Sequence, residues 1–294
     1  MTPAVLAELL DGGQSFRWWR QPDGSWLGQW SSCLAVLRID SSGTLEWRTP
    51  TGAGAPSPPE LAHYLGGDAE QAAALDRLPW RSDAHLARCM AAFPNLRLLR
   101  QPLGETLLAF LCSATKQIVQ IKQMLGLLAA RFGQPVPLPD GPGAWVGVGV
   151  GSSLPTWEQL AVIPENELRA CLLGFRARFI RATAERLAAE PDWLPTTGEL
   201  SYPEAKERLC SLPGVGAKVA DCVLLFGAGR LEAFPVDVWI LKAMARRYGL
   251  EAWPTAHVAQ FGRVHFGAAA GLAQQFLFAY ERAAARAERQ ARAS

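Results

Sequence analysis

The chain has few lysines, few histidines, no paired cysteines and no long apolar run. Its 29 basic residues include only five lysines: Lys116, Lys122, Lys206, Lys218 and Lys242. The six cysteines (Cys33, Cys89, Cys112, Cys171, Cys210 and Cys222) contain no CxxC pair. His63, His85, His257 and His265 are equally scattered. Such spacing argues against a structural zinc or an iron–sulfur cluster and suits free thiols in a reducing compartment. No stretch approaches the roughly 18 apolar residues of a membrane-spanning helix. The opening, MTPAVLAELLDGG, lacks the basic segment of a signal peptide. A cytoplasmic location is expected. With a net charge of only +2, any nucleic-acid surface has to be a local patch.

What is present reads as a folded α+β protein. With 294 residues, 49% of them hydrophobic and 19% charged, the chain can bury a large core, and two domains are expected. The first hundred residues read as strands. SFRWWRQ and SWLGQW flank the turn PDG, and CLAVLRI and TLEWRT flank DSSG, a pattern of antiparallel hairpins. The Pro/Gly-rich TPTGAGAPSPP closes this part as a loop. Helix is expected from about Asp83. ETLLAFLCSATKQIVQIKQMLGLLAARFG has helical periodicity with a break near Ser113–Thr115, and QPVPLPDGPGAWVGVGVGSSLP is a long loop. Further helical stretches are expected at 165–189, 203–228 and 238–248, and in AAGLAQQFLFAYERAAARAERQ, which ends in a basic tail. The expected organisation is an antiparallel β domain over 1–100, then a helical region over 101–294 with a helix-hairpin-helix near 203–228.

The hairpin LCSLPGVGAKVADCVLLF places Lys218 in the first turn of a helix, where the macrodipole disfavours a cation. Gly214, Val215 and Gly216 make the turn. Two helices joined this way can be purely structural. Alternatively, the glycines let backbone N–H groups approach a phosphate, and the helix N-terminus favours the anion. A lysine held there and partly desolvated has its charged form penalised, and a neutral amine is a nucleophile. Nineteen residues on, PVDVW sets Asp237 immediately before another helix, as a plain N-cap, a fixed carboxylate, or both.

Gly-x-Gly-x-Lys followed by Pro-Val-Asp resembles the helix-hairpin-helix DNA glycosylases. The segments GGQSFRW, NLRLLRQPLGETLLAFLCS, LLGFRARFIRATAERL, LPGVGAKVADC, PVDVW and GLAQQFLF, in that order, resemble the eukaryotic-type 8-oxoguanine DNA glycosylases from Gly13 to Phe278. The resemblance implies a β domain followed by helical domains. It also implies a monomer that acts on duplex DNA containing oxidised guanine, associated with the bacterial nucleoid when bound. No cofactor is implied beyond a possible structural cation on the hairpin carbonyls.

By the same resemblance, Lys218 attacks the sugar C1′, which makes the enzyme a lyase as well, and Asp237 stabilises oxocarbenium charge. Gly13 accepts from N7–H of the oxidised base, Cys222 and Phe278 sandwich that base, and Gln274 reads its Watson–Crick edge. Phe175 is the wedge that enters the duplex, and Arg176 contacts the orphaned partner base. The hole-filling segment departs from the family pattern. Thr115 stands for its asparagine, followed by Lys116 and Gln117; Gln120 replaces an arginine that contacts cytosine, and Trp239 a histidine near the 5′ phosphate. These departures imply a relaxed preference for the base opposite the lesion. Two rivals share the hairpin: an alkylpurine glycosylase, which acts with the aspartate alone, and a non-catalytic DNA-binding module. Neither requires Lys218, Asp237 and Gly13 together.

Overall fold

The structure is a computed structural model that describes residues 1–52, 55–140 and 145–293. Residues 53–54 of the Pro/Gly-rich loop and 141–144 of the second loop lie outside the described residues.

Four strands, β1 (Trp18–Arg20), β2 (Trp26–Trp30), β3 (Cys33–Ile39) and β4 (Leu45–Arg48), form an antiparallel meander in chain order. Each strand falls within a segment expected from the sequence. The DSSG turn is closed by the Asp40 carboxylate, which accepts from Ser42 N at 2.9 Å and Thr44 N at 2.8 Å. One sheet face packs its aromatics on the following helix. Trp30 stacks on Tyr64 at 4.1 Å, and Trp18 Nε1 donates to the Tyr64 hydroxyl at 3.0 Å.

The first hundred residues are not all strand, however. Helix α1 (Pro3–Asp11) precedes the sheet, and α2 (Pro58–Tyr64) and α3 (Ala69–Arg77) follow it, before the expected onset of helix at Asp83. Their caps explain them. Thr2 accepts from Val5 N, Ser57 and Glu60 form a capping box, and Asp68 accepts from Gln71 N.

Helix α4 (Ala84–Ala92) is capped by Asp83, and α5 (Leu103–Leu111) and α6 (Ile118–Phe132) are separated at the expected break, where Thr115 has φ 55°. Next come α7 (Trp157–Val162), α8 (Glu165–Leu168) and α9 (Arg176–Ala189). The expected continuous helix 165–189 is therefore interrupted. A π turn spans Arg169–Leu173, and Leu172 (φ 64°) and Gly174 (φ 56°) reverse the backbone. The remaining helices are α10 (Trp193–Glu199), α11 (Tyr202–Cys210), α12 (Ala217–Gly227), α13 (Val238–Tyr248), α14 (Thr255–Phe266) and α15 (Ala270–Ala293).

One contiguous apolar cluster runs from Val5 through α5 and α12 to Ala279, crossing position 100. Helix α12 buries every residue from Val219 to Phe226. At about 1.5–3 kcal/mol for each fully buried Val, Leu or Phe, that burial fixes the hairpin in place. Its one buried acid, Asp221, is satisfied from α11: the Tyr202 hydroxyl donates to it at 2.7 Å, and Lys206 Nζ lies 2.8 Å away.

Candidate active site

The turn between α11 and α12 is set by its glycines. Val215 N donates to the Leu212 carbonyl at 3.1 Å, with Pro213 and Gly214 (φ 79°) in the central positions. That is the residue pattern of a type II turn. A Cβ on Gly214 would approach Phe179 Cδ2 to 2.8 Å, whereas one on Gly216 would meet nothing within 4 Å. Gly216 is the N-cap of α12 and supplies no side-chain hydrogen bond. The first turn of α12 therefore has no side-chain cap from Gly216, and the space beside that residue is open. Val215 is buried beneath the turn.

Lys218 extends from that first turn towards α5. Its Nζ is 3.5 Å from Ser113 Oγ and 5.3 Å from the ring centroid of Phe110. Ser113 spends its own proton on the Phe110 carbonyl, at 2.7 Å, so its oxygen is the acceptor for Lys218. Asp237 caps α13 and accepts from Ile240 N at 2.9 Å. Burial pushes its carboxyl above the usual range, and the Ile240 N–H and the Lys218 charge oppose that shift. It is both an N-cap and a partly desolvated carboxylate next to an amine.

Both groups open on one cavity of about 550 Å³. The structure brings Gly13, Lys116, Gln117, Trp239 and Phe278 to its walls as well. Gly13 has φ 104°, and a Cβ there would sit 3.2 Å from Ile118 Cδ1 and 3.8 Å from Phe278 Cε1. A side chain at this position would be strained and would narrow the slot beside the Phe278 ring.

Other expected site residues lie elsewhere. Cys222 is buried beneath Lys218, and burial pushes its thiol up to about 12. Gln274 is also buried. Its Nε2 donates to the Pro235 carbonyl at 3.1 Å, and its Oε1 accepts from Gln275 at 2.7 Å. Neither lines the cavity. Both ends of the Gln274 amide are thus engaged within the protein.

Arg176 is turned inward. It donates to the Ala114 carbonyl, to Thr115 Oγ1 at 3.1 Å and to the Leu173 carbonyl at 3.3 Å, leaving Nε buried without a partner. It pins the turn that carries Thr115. Gln120 Oε1 accepts from Gln117 N at 3.1 Å, closing the first turn of α6. Phe175 is exposed at the start of α9, edge-on to Phe179 at 6.1 Å.

Sequence reasoning missed Arg282, Arg286 and Arg289, which also line the cavity. Their signal was available: they follow Phe278 on α15 at successive helical spacings, so they share its face. Arg282 Nη1 donates to Glu8 Oε1 at 2.8 Å and to the Gly12 carbonyl at 2.5 Å, and its guanidinium lies 5.1 Å from the Phe278 ring centroid.

Comparison with known proteins gives this geometry a family. Residues 108–262 match the family described as HhH-GPD superfamily base excision DNA repair protein. The chain is 30% identical over 272 residues to the N-glycosylase/DNA lyase of Saccharomyces cerevisiae, covering 84% of this chain and 69% of that protein. It is 31% identical over 204 residues to the N-glycosylase/DNA lyase OGG1 of Arabidopsis thaliana, covering 63% of this chain. That match spans about half of the plant protein, 52% of its length. Among solved structures it resembles the Clostridium acetobutylicum 8-oxoguanine glycosylase/lyase in complex with double-stranded DNA containing cytosine opposite to 8-oxoG. The TM-score is 0.82 at 28% identity, covering 94% of this chain and 91% of that one. The hairpin glycines, Lys218 and Asp237 all fall within the matched segment, and the chain belongs to the HhH-GPD superfamily of base excision DNA repair proteins.

Proposed function

We propose that this chain is a bifunctional DNA glycosylase and AP lyase that removes 8-oxoguanine from duplex DNA. The observation that carries the reading is the convergence of Lys218, Asp237, Gly13 and Phe278 on one cavity. A base inside a duplex is out of reach of such a cavity, so its nucleotide has to be extruded. The exposed Phe175 is suited to occupy the stack it leaves. The Gly13 carbonyl accepts from N7–H of the oxidised base; normal guanine has a lone pair there, and an unmatched buried acceptor discriminates strongly.

The Asp237 carboxylate opposes the positive charge that develops on the sugar as the glycosidic bond lengthens. The Lys218 nitrogen bonds to C1′, and the departing base keeps the electron pair of the broken bond. Opening of the sugar ring gives a Schiff base, and loss of the C2′ proton then expels the 3′ phosphate. The nucleophile is a side chain, so the proposed reaction draws on no cofactor; a cation on the hairpin carbonyls would be structural. The protein is proposed to act as a monomer at the nucleoid of a cytoplasm. Among the described residues no helix is long and apolar enough to cross a membrane.

The preference for the base opposite the lesion is proposed to be relaxed. Arg176 is spent on the Ala114–Thr115 turn and Gln120 on the Gln117 amide, which supports this reading. Borohydride trapping tests the whole proposal. The wild type is expected to cross-link to a duplex containing 8-oxoguanine, and not to one containing an alkylated purine or no lesion. Lys218→Gln is expected to bind lesion DNA without cleaving it or cross-linking. Cross-linking of that variant to the wild-type extent would show that Lys218 is not the nucleophile.

A further inference from the structure

The exposed arginines of α15 lack the pairing found for three arginines elsewhere on the helices. Arg169, Arg181 and Arg186 each have a glutamate four residues away, at 2.6, 2.9 and 3.7 Å. Arg286 has Arg282 four residues before it, and Arg289 has Ala285. Like charges at that spacing oppose helix formation. Burial and the neighbouring Arg286 together hold the Arg282 guanidinium below its ordinary value. Arg282 is neutralised by Glu8 inside the protein. Arg286 and Arg289 are exposed, and no hydrogen bond or salt bridge engages them among the described residues.

Both line the cavity of Lys218, where Asp237 is the only acid among the lining residues. Arg286 also borders a second cavity of about 650 Å³, which shares Ile118 and Val119 with the first. In that second cavity Lys122 is already paired with Asp11, at 2.7 Å. Arg286 therefore stands on the divide between the candidate active site and the groove beside it, with Arg289 on the active-site side. A solvated helix face does not require that alignment, and a polyanion passing over the cavity mouth does.

We infer that Arg286 and Arg289 hold phosphates of the DNA strand that bears the extruded nucleotide, so that the end of α15 acts as a second backbone grip facing the hairpin. The inference rests on the reading above only in that the cavity receives an extruded nucleotide. Phosphodiester is the chemistry these residues fit: two guanidinium groups that no carboxylate bonds among the described residues, beside the aliphatic ridge of Ile118 and Val119.

Fluorescence-anisotropy titration across a salt series tests the inference. One duplex is undamaged; the other carries a tetrahydrofuran abasic analogue, which cannot form a Schiff base. For the analogue duplex, the Arg286→Ala/Arg289→Ala double variant is expected to flatten the log K against log salt slope by about 2, at roughly 0.9 per phosphate contact. The undamaged duplex should lose less, because none of its nucleotides enters the cavity. Arg286→Lys/Arg289→Lys is expected to keep most of the slope. Arg38→Ala, which removes a paired surface arginine on β3, is expected to change neither duplex. A double variant with the wild-type slope overturns the inference and leaves these arginines as solvated charges or as a seat for an acidic protein; equal losses on the two duplexes overturn it by showing phosphate contacts that do not depend on the extruded nucleotide. A wild type that binds the analogue duplex with an arginine-dependent slope but excises no 8-oxoguanine overturns the substrate reading and supports this one.

Discussion

Arg282 and Gly12 are 270 residues apart in the chain, yet Arg282 Nη1 donates to the Gly12 carbonyl at 2.5 Å. The same guanidinium is held by Glu8 and lies over Phe278. One side chain thus ties together the peptide that precedes Gly13 and the ring that faces it.

Removing that tie should weaken recognition more than chemistry. Arg282→Met leaves the largely buried Glu8 and the Gly12 carbonyl unmatched. Breaking a buried pair from one side costs about 3–5 kcal/mol, so the melting temperature should fall. Excision of 8-oxoguanine should fall further than cleavage of a preformed abasic site, which has no base to seat. The ratio of the two rates checks this, and an unchanged ratio would confine Arg282 to a stability role.

Asp237→Asn should separate activity from stability. Asparagine caps a helix as well as aspartate does, but it lacks the charge that opposes an oxocarbenium-like state. The expected loss is roughly a hundred- to a thousandfold in single-turnover rate, about 3–4 kcal/mol. The carboxyl is raised in the folded state by burial. Its ionisation therefore costs stability above the folded value and costs nothing below the unfolded one. Stability contributed through this group falls as pH rises through that window. The variant should melt no lower than the wild type near neutral pH. The acid limb of the wild-type rate profile should lie above that of an ordinary aspartate and should vanish in the variant.

The two hairpin glycines should fail differently. Gly214→Ala puts a Cβ at φ 79° and within 2.8 Å of Phe179. It should destabilise the fold by at least about 1–2 kcal/mol, the usual penalty of the left-handed region. Gly216→Ala meets open space and should cost under about 1 kcal/mol of stability. It should nevertheless weaken binding to undamaged duplex, because the new methyl stands where a phosphate would approach. Chemical denaturation and anisotropy together distinguish the two outcomes.

Discrimination between partner bases should be modest. Single-turnover rates on four duplexes that differ only opposite the lesion should show less than about a hundredfold preference for cytosine, the upper end for one good base contact. Gln120→Arg should sharpen it. A larger preference in the wild type would mean that Lys116 or Gln117, both already on the cavity wall, reads the partner base.

The legible parts of this protein were the locally encoded ones. The four strands were visible because alternating residues and turn signals act over a few positions. Lys218 and Asp237 were singled out by short motifs and Gly13 and Phe278 by resemblance, and the structure places all four on one cavity. Helix α14 was not. Gly262 in its middle reads as a breaker, but it is a close-packing site whose Cβ would lie 2.5 Å from Phe234. Helix α10 was hidden in the same way by Pro195 and Gly198. Arg282 was missed because its partners, Glu8 and Gly12, lie at the other end of the sequence. Arg176 was expected at the DNA, and only the packed turn shows what holds it.

The tether between α15 and α1 also makes the cavity depend on both ends of the chain. The hairpin lysine and its aspartate lie on neighbouring helices and come together through short loops. The slot between Gly13 and Phe278 closes only when the last helix docks on the first, across a separation of 270 residues. Contacts that distant in sequence bear a loop-closure entropy that the hairpin contacts do not. A chain truncated before α15 is expected to keep Lys218 and Asp237 but to lose the Phe278 wall of the cavity.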